Sequence, residues 1–508
     1  MTQIISGGAT HQLFLRSIEP MIRAIGSSLG PNGRATLFDL GGRVGQATSG
    51  VTIAREICGA DGLPGIAQKL LRETLVSADR DLGDGTARLA LVAEGSFRAG
   101  ATYASGGLSA GKLADAMTAA REEIAEMIAD EQCDAGDLED IAMTAGADPD
   151  FAQILAGAFR GVGSSGVIEV IASRRTEIVT SKSAGFVFDG TSICSPMPTG
   201  EPLELDDVHI IAADDIISDF GVLAPVVEGF ASKKKSLMIV ARDVNGSALA
   251  MLERNRKAGI LSVIVLKPSE AGPRAAELIE DLALATGAAL VSERSGLTLS
   301  ALKPRMLGRA ARLHLSGGRA ELLEPAGNRA DIAVRAASLD ADIQRYRYLS
   351  LDREHAARRK ARLLGQWAVI RAGGHTEFET ARLLATGRNA LACLRSAAGS
   401  GVMPGGGDTL SRIARRLAAR SGGDCEAAVG KIAAAGLLSI DHHLKNNSGQ
   451  DNLSLLVGAQ QSRQPAINKR PIYDPLRLTQ LLVDQALSIT TMLLRVDAAI
   501  VRRGAISL

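Results

Sequence analysis

Apolar residues recur at helical spacing through most of the first 130 residues. The clearest case is residues 107–129. There Leu113, Met117, Ala120, Ile124 and Ile128 fall on one face, with Arg121, Glu122, Glu123 and Glu126 on the other. Such a stripe packs against neighbouring helices. Residues 13–25 and 86–98 also read as helices. The pattern then changes. Residues 208–213, 236–244, 261–267 and 289–294 are short β-rich runs, with helical stretches at 246–257 and 273–286. This alternation predicts parallel strands joined by crossover helices. Helical spacing returns over 352–364, 380–398, 408–419 and 474–501. The simplest architecture is an α/β domain inserted into a helical domain whose two halves pack together.

Composition refines this picture. A chain of 508 residues fits about three domains. Lys plus Arg number 57 against 56 Asp plus Glu, so no charge excess points to a nucleic acid or an anionic membrane. Aromatics are only 3%, which leaves Ala, Leu, Ile and Val to build the cores. The 55 glycines predict many turns, hinges or close backbone approaches. None of the five cysteines forms a CxxC pair, so neither a zinc site nor a disulfide framework is expected. The N-terminus lacks a basic stretch followed by an apolar one, and no run of about 18 uncharged apolar residues occurs. A soluble, cytoplasmic protein of bacterial type is the expectation.

Four loops could carry chemistry. Residues 28–34 read Ser-Leu-Gly-Pro-Asn-Gly-Arg after a helix. Gly30 and Gly33 can offer bare backbone N–H groups to a phosphate, or simply end the helix. Residues 83–86 read Gly-Asp-Gly-Thr at the start of a helix. Asp84 can face a phosphate-bound magnesium ion, or cap that helix. Residues 404–408, Pro-Gly-Gly-Gly-Asp, precede another helix. At Asp474-Pro475, an N-cap followed by proline at the first helical position is a sufficient structural explanation. Two other motifs are rejected. Residues 161–166 fit GxGxxG, but a helix precedes and a strand follows, the reverse of a dinucleotide fingerprint. Lys233, Lys234 and Lys235 form a basic run without interleaved aromatics for base stacking.

Taken together and in order, these motifs resemble those of the group I chaperonins, the GroEL-like proteins. The resemblance also takes in residues 50–57, 162–170, 185–189 and 369–377. It implies an α+β multi-domain fold with three parts. These are a helical equatorial ATP-binding domain split in sequence (1–130 and 400–508), a small intermediate hinge domain (131–189 and 368–399) and an inserted α/β apical domain (190–367). By resemblance, Leu29, Gly30, Pro31 and Gly33 line the ATP phosphates. Asp84, Gly85 and Thr86 hold phosphate and Mg2+, with Asp84 as the metal ligand. Gly406 and Asp474 contact the nucleoside, and Gly185 and Gly373 fall near hinges. Heptameric rings, non-native polypeptides and a GroES-like lid co-chaperonin are the implied partners.

The sequence departs from the family at the places that do chemistry. Two family aspartates of the nucleotide site are Ser49 and Asn389 here. An amide cannot act as a base; it can only orient water. Two family threonines are Ala87 and Arg88, so the site loses two carboxylates and gains a cation. Loss of one general base costs about 10²–10⁴-fold in rate. ATP binding with slow or absent turnover is therefore expected. The apical positions that hold polypeptide include Ala224, Val227, Leu249, Glu253 and Arg254, two of them charged. Met197 and Pro198 stand where the family favours aromatics. The glycine- and methionine-rich tail and the Asn-Ala-Ala nucleoside contact before Asp474 are missing. Three readings follow: a divergent ring subunit with weakened hydrolysis, an ordinary folding machine with compensation elsewhere, or a scaffold or regulatory subunit mixed into rings with a conventional paralogue.

Overall fold

The apolar stripe near residue 113 forms the helix Ala110–Ala129 and buries Leu113, Ala114, Met117, Ala120, Ile124 and Ile128. Ser109 caps it by accepting from the Lys112 N–H. The computed structural model describes residues 2–502, apart from 31, 40–41, 43, 58–61, 135, 165, 174, 184, 194–202, 232–234, 317, 347–349 and 449–470. The chain divides into two compact units. The first comprises Met1–Phe159, Val170–Val179 and Arg371–Leu508, and the second Arg160–Glu169 and Thr180–Ile370.

The first unit is mainly helical. At its centre lies Thr86–Ser105, in which Leu89, Ala90, Leu91, Val92 and Phe97 are fully buried. The helices Asp424–Ser448 and Leu476–Leu494 pack against it. Small residues let these helices approach closely. A Cβ on Gly436 would lie 2.1 Å from Ser96 Oγ, and one on Gly95 would lie 3.1 Å from the Ala435 carbonyl oxygen. Part of the glycine excess, in a core poor in aromatics, is explained by this crossing. Helix Leu476–Leu494 ends well short of residue 501. Ala498–Arg502 instead forms a strand antiparallel to Thr2–Ser6, because backbone partners from the far end of the chain replace helical ones. Thr36–Asp39 and Val44–Ala47 form a separate hairpin.

The second unit is built on a closed barrel. Strands Leu203–Ile217, Ser236–Val244 and Ser262–Pro268 run parallel, as the alternation predicts. Helices Ala224–Ala231 and Gly246–Lys257 fall between them. Both faces of these strands are buried. Val208, Ile210 and Ala212 enter one core, while Ile211, Ala213 and Ile217 enter the other, which explains the near-continuous apolar runs. The barrel is closed by antiparallel strands Gly308–Ser316, Arg319–Pro325 and Phe186–Ser192. Their outward charges pair across strands, with Arg312 to Asp206 at 2.9 Å and Arg319 to Asp189 at 3.0 Å. Residues 289–294 form no extended strand; Val291 and Ser292 make isolated bridges only. Among the described residues, no helix is long and apolar enough to cross a membrane.

Candidate functional site

The first glycine loop follows helix Gly8–Ser27. Gly30 takes φ of 85°, a conformation that disfavours side chains. A Cβ on Gly33 would lie 2.1 Å from the Ser28 carbonyl oxygen, so only glycine fits there. The loop is closed by backbone bonds, Gly33 N–H to Gly30 O at 2.9 Å and Arg34 N–H to Ser27 O at 2.8 Å. Asn447, near the end of helix Asp424–Ser448, donates from Nδ2 to the carbonyls of Gly26 and Leu29, each at 2.8 Å. Pro31 lies outside the described residues. An open depression of about 600 Å³ beside the loop is lined by Arg16, Glu19, Arg23, Ser27 and Arg34, and by none of the acidic residues below.

The second loop turns between two helices through Gly83 and Gly85, at φ of 74° and 85°. Gly85 is the N-cap of Thr86–Ser105, and no side chain caps that helix. Its cap residue, a glycine, offers no side chain to the first N–H groups, an arrangement that can take an anion. Asp84 is not the cap. Its Oδ2 accepts the Cys393 thiol at 3.4 Å and lies 3.6 Å from Arg88 Nη2. Gly50, next to Ser49, is held against the same helix start; a Cβ on it would lie 2.9 Å from the Ala87 nitrogen. Asn389 stands one turn before Cys393 on helix Glu377–Ser400 and is half-buried.

The third and fourth motifs meet each other. Strand Val402–Pro404 pairs with Tyr473–Pro475, setting Met403 opposite Asp474. Gly406 and Gly407 have φ of 72° and 85°, and Gly405 is packed against the Asp474 backbone. Asp474 is not a helix cap either, since Pro475 holds the N-cap of Leu476–Leu494. Its carboxylate accepts from Arg88 Nη1 at 2.8 Å. The side chains of Arg88, Asp474 and Asp84 are 13%, 7% and 19% exposed. Burial alone lowers the pKa of Arg88, but the carboxylates of Asp474 and Asp84 outweigh it and the net shift is upward. Burial drives the Cys393 thiol well above its usual range, and Asp84 adds to this. Arg88 is thus a fixed cation, and Cys393 a neutral thiol at ordinary pH.

The sequence brought Asp84 and Arg88 to attention separately; Asp84 precedes the helix that carries Arg88, and their pairing appears only in the structure. Cys393 and Asn447 carried no signal in the sequence. Asp79 was also missed. It lies 3.7 Å from Arg55, and burial raises its pKa, with Asp84 adding to the rise and Arg55 and Arg388 opposing it.

The remaining predicted residues lie elsewhere. Val227 is 3% exposed inside a core of the second unit, so it offers no surface to a polypeptide. It points inward because its helix packs an apolar face with Val226 and Phe230 onto the barrel. Leu249 is partly buried against the same core. Met197 and Pro198 lie outside the described residues. Gly185 and Gly373 have ordinary φ values, but a Cβ there would lie 1.8 Å from the Leu322 carbonyl and 2.3 Å from the Arg175 carbonyl. Close backbone approach explains both glycines.

A model of the TCP-1/cpn60 chaperonin family matches residues 221–504, more than half of the chain. The chain belongs to the TCP-1/cpn60 chaperonin family. The match takes in Asn389, the Gly405–Gly407 turn and Asp474, while the loops near Gly30 and Asp84 lie before it. Among solved structures, the chain is similar to the chaperonin gp146 from bacteriophage EL 2 (Pseudomonas aeruginosa), crystallised in the presence of ATP-BeFx. The TM-score is 0.63 at 18% identity, over 99% of both chains. That likeness is one of fold. It extends the chaperonin architecture across the N-terminal residues that the family match leaves out.

Proposed function

We propose that this chaperonin subunit binds ATP and turns it over slowly or not at all. One observation carries the reading. Glycine loops and a helix start of the kind that suits phosphate support it, while the positions where the resemblance implies carboxylates hold Ser49 and Asn389. The glycine loop at Gly30 and Gly33, the uncapped helix start at Gly85 and Thr86, and the Gly406 turn beside Asp474 fit a nucleoside polyphosphate. The phage chaperonin of similar fold was crystallised in the presence of ATP-BeFx. Neither Ser49 nor Asn389 can take a proton from water at neutral pH. Asp84, the metal position by resemblance, fits a divalent ion poorly with Arg88 beside it.

Steady-state phosphate release tests this. The wild type is expected to bind ATP but to release phosphate about 10²–10⁴-fold more slowly than a chaperonin with both aspartates. Ser49→Asp with Asn389→Asp, combined with Arg88→Thr to free Asp84, is expected to regain turnover. Ordinary wild-type turnover would refute the weakened-hydrolysis reading, and failure to bind ATP would refute the nucleotide site.

The wider reading is a cytoplasmic subunit that self-assembles into heptameric rings, with the three-domain division given above and hinges near Gly185 and Gly373. Non-native polypeptides and a lid co-chaperonin are its proposed apical partners. A second reading has support from the groove positions. Val227 is buried, Arg254 is exposed, and Glu253 pairs with Lys257 at 3.6 Å. Charge at such positions removes the apolar area that drives capture, at about 25 cal/mol per Å². This favours a scaffold or regulatory subunit, mixed into rings with a conventional paralogue.

A further inference from the structure

The last turns of helix Asp424–Ser448 meet two of the glycine loops at once. Ile440, His443, Leu444 and Asn447 recur at spacings of three and four, so they share one face of that helix. A Cβ on Gly26 would lie 2.5 Å from His443 Cδ2, and one on Gly30 would lie 2.6 Å from Leu444 Cδ2. The other methyl of Leu444 faces the later loop. A Cβ on Gly407 would lie 3.4 Å from Leu444 Cδ1 and 3.7 Å from Ile440 Cγ2. One half-buried leucine thus stands between loops from opposite ends of the chain. Asn447 secures the first of them. Its amide nitrogen donates to the carbonyls of Gly26 and Leu29, each at 2.8 Å, which uses both of its N–H donors. These carbonyls lie in and just past the last turn of helix Gly8–Ser27, where helical partners run out.

We propose that Leu444 and Asn447 are positioning residues for the nucleotide, Leu444 setting the spacing between the Gly30 loop and the Gly406 turn and Asn447 fixing the course of the first loop. The inference rests on the nucleotide-site reading above, in which the first loop takes phosphate and the second the nucleoside. A ligand that spans two loops senses their separation, and a binding constellation has to be held within about 0.5 Å of its productive geometry. Leucine can serve as the spacer because its two methyls diverge from one carbon and leave no polar atom to satisfy. Alanine would open a gap between the loops, whereas methionine nearly conserves the volume. Asn447→Asp keeps the shape but sets acceptors against two carbonyl oxygens.

Hydrogen exchange of the full-length protein without nucleotide, paired with isothermal titration of ATP, tests this. Leu444→Ala is expected to speed amide exchange at least about tenfold in both residues 28–34 and residues 405–408. Asn447→Asp should do so in residues 28–34 alone. The buried stretch 390–397 of helix Glu377–Ser400 should exchange at the wild-type rate in every variant. ATP should bind at least about tenfold more weakly to Leu444→Ala and to Asn447→Asp. Leu444→Met should follow the wild type in both measurements. A folded Leu444→Ala protein with faster exchange in only one loop, or in neither, would overturn the spacer role. Faster exchange throughout the helical unit would overturn it too, by showing a loss of stability alone. Loosened loops with unchanged ATP affinity would show that their spacing does not position the nucleotide. A wild type that binds no ATP would overturn the nucleotide reading itself, while the exchange rates would still decide whether these residues hold the loops.

Discussion

His209 is buried in the second unit, edge-on to Phe230 at 5.0 Å, with Nδ1 lacking a hydrogen-bond partner. Burial lowers its pKa, Lys235 and Arg309 lower it further, and Asp207 opposes them. The unfolded imidazole titrates near about 6.5. Below that pH the unfolded chain binds a proton that the folded chain refuses. Protonation therefore favours unfolding, and stability falls as the pH drops through the unfolded value, levelling off below the folded one. The single tryptophan, Trp367, is buried in the same unit and reports its unfolding. Urea midpoints read from its fluorescence at pH 7.5 and 5.5 should differ more for the wild type than for His209→Gln. Equal pH dependence in the two proteins would show that His209 is not the source.

Between elements, helix Ser350–Leu363 is tied to helix Pro273–Thr286 by a bidentate pair. Arg359 donates from Nε and Nη2 to Asp281 at 2.7 and 3.0 Å, with both residues buried. On the exposed side, Lys360 meets Asp340 at 2.7 Å. Asp281→Ala removes both bonds of this pair, leaves the buried Arg359 with Glu277 alone at 3.2 Å, and should cost up to about 3–5 kcal/mol. Asp340→Ala should cost no more than about 1 kcal/mol. Urea titration followed by Trp367 fluorescence compares them, and similar costs would contradict the burial argument. Elements of this kind were largely legible. The helices Gly246–Lys257 and Pro273–Thr286 have the bounds that the pattern predicts, because their periodicity and their ends are local signals. The barrel-closing strands were not, since their partners lie far away in sequence. The site divides in the same way. Glycine loops are local and readable. The meeting of Asp84 and Arg88 with Cys393 and Asp474 depends on tertiary folding, and Asp474 reads as a simple cap until its partner is seen.

At the scale of the whole molecule, two small sheets in the helical unit present apolar side chains to water. Ile4 and Ile500 are cross-strand partners, 65% and 58% exposed. Leu37 and Val44 on the hairpin are 66% and 62% exposed. A two-stranded sheet is marginal on its own, and its outer edges present unpaired backbone groups. Such a sheet gains most by pairing with another strand. In the ring assembly proposed above, a second copy of this chain would offer one. Each apolar side chain buried there would contribute about 1.5–3 kcal/mol, so two substitutions per subunit should weaken each contact by well over tenfold. Leu37→Asp combined with Val44→Lys, which stands opposite Asp39, is therefore expected to convert an assembled protein into subunits of 52.9 kDa. Both side chains are exposed, so the charges should leave the fold of the subunit intact. Mass photometry reads the assembly and circular dichroism the fold. A wild type that is monomeric at micromolar concentration, or a folded double variant that still assembles, would show that these sheets do not hold the subunits together.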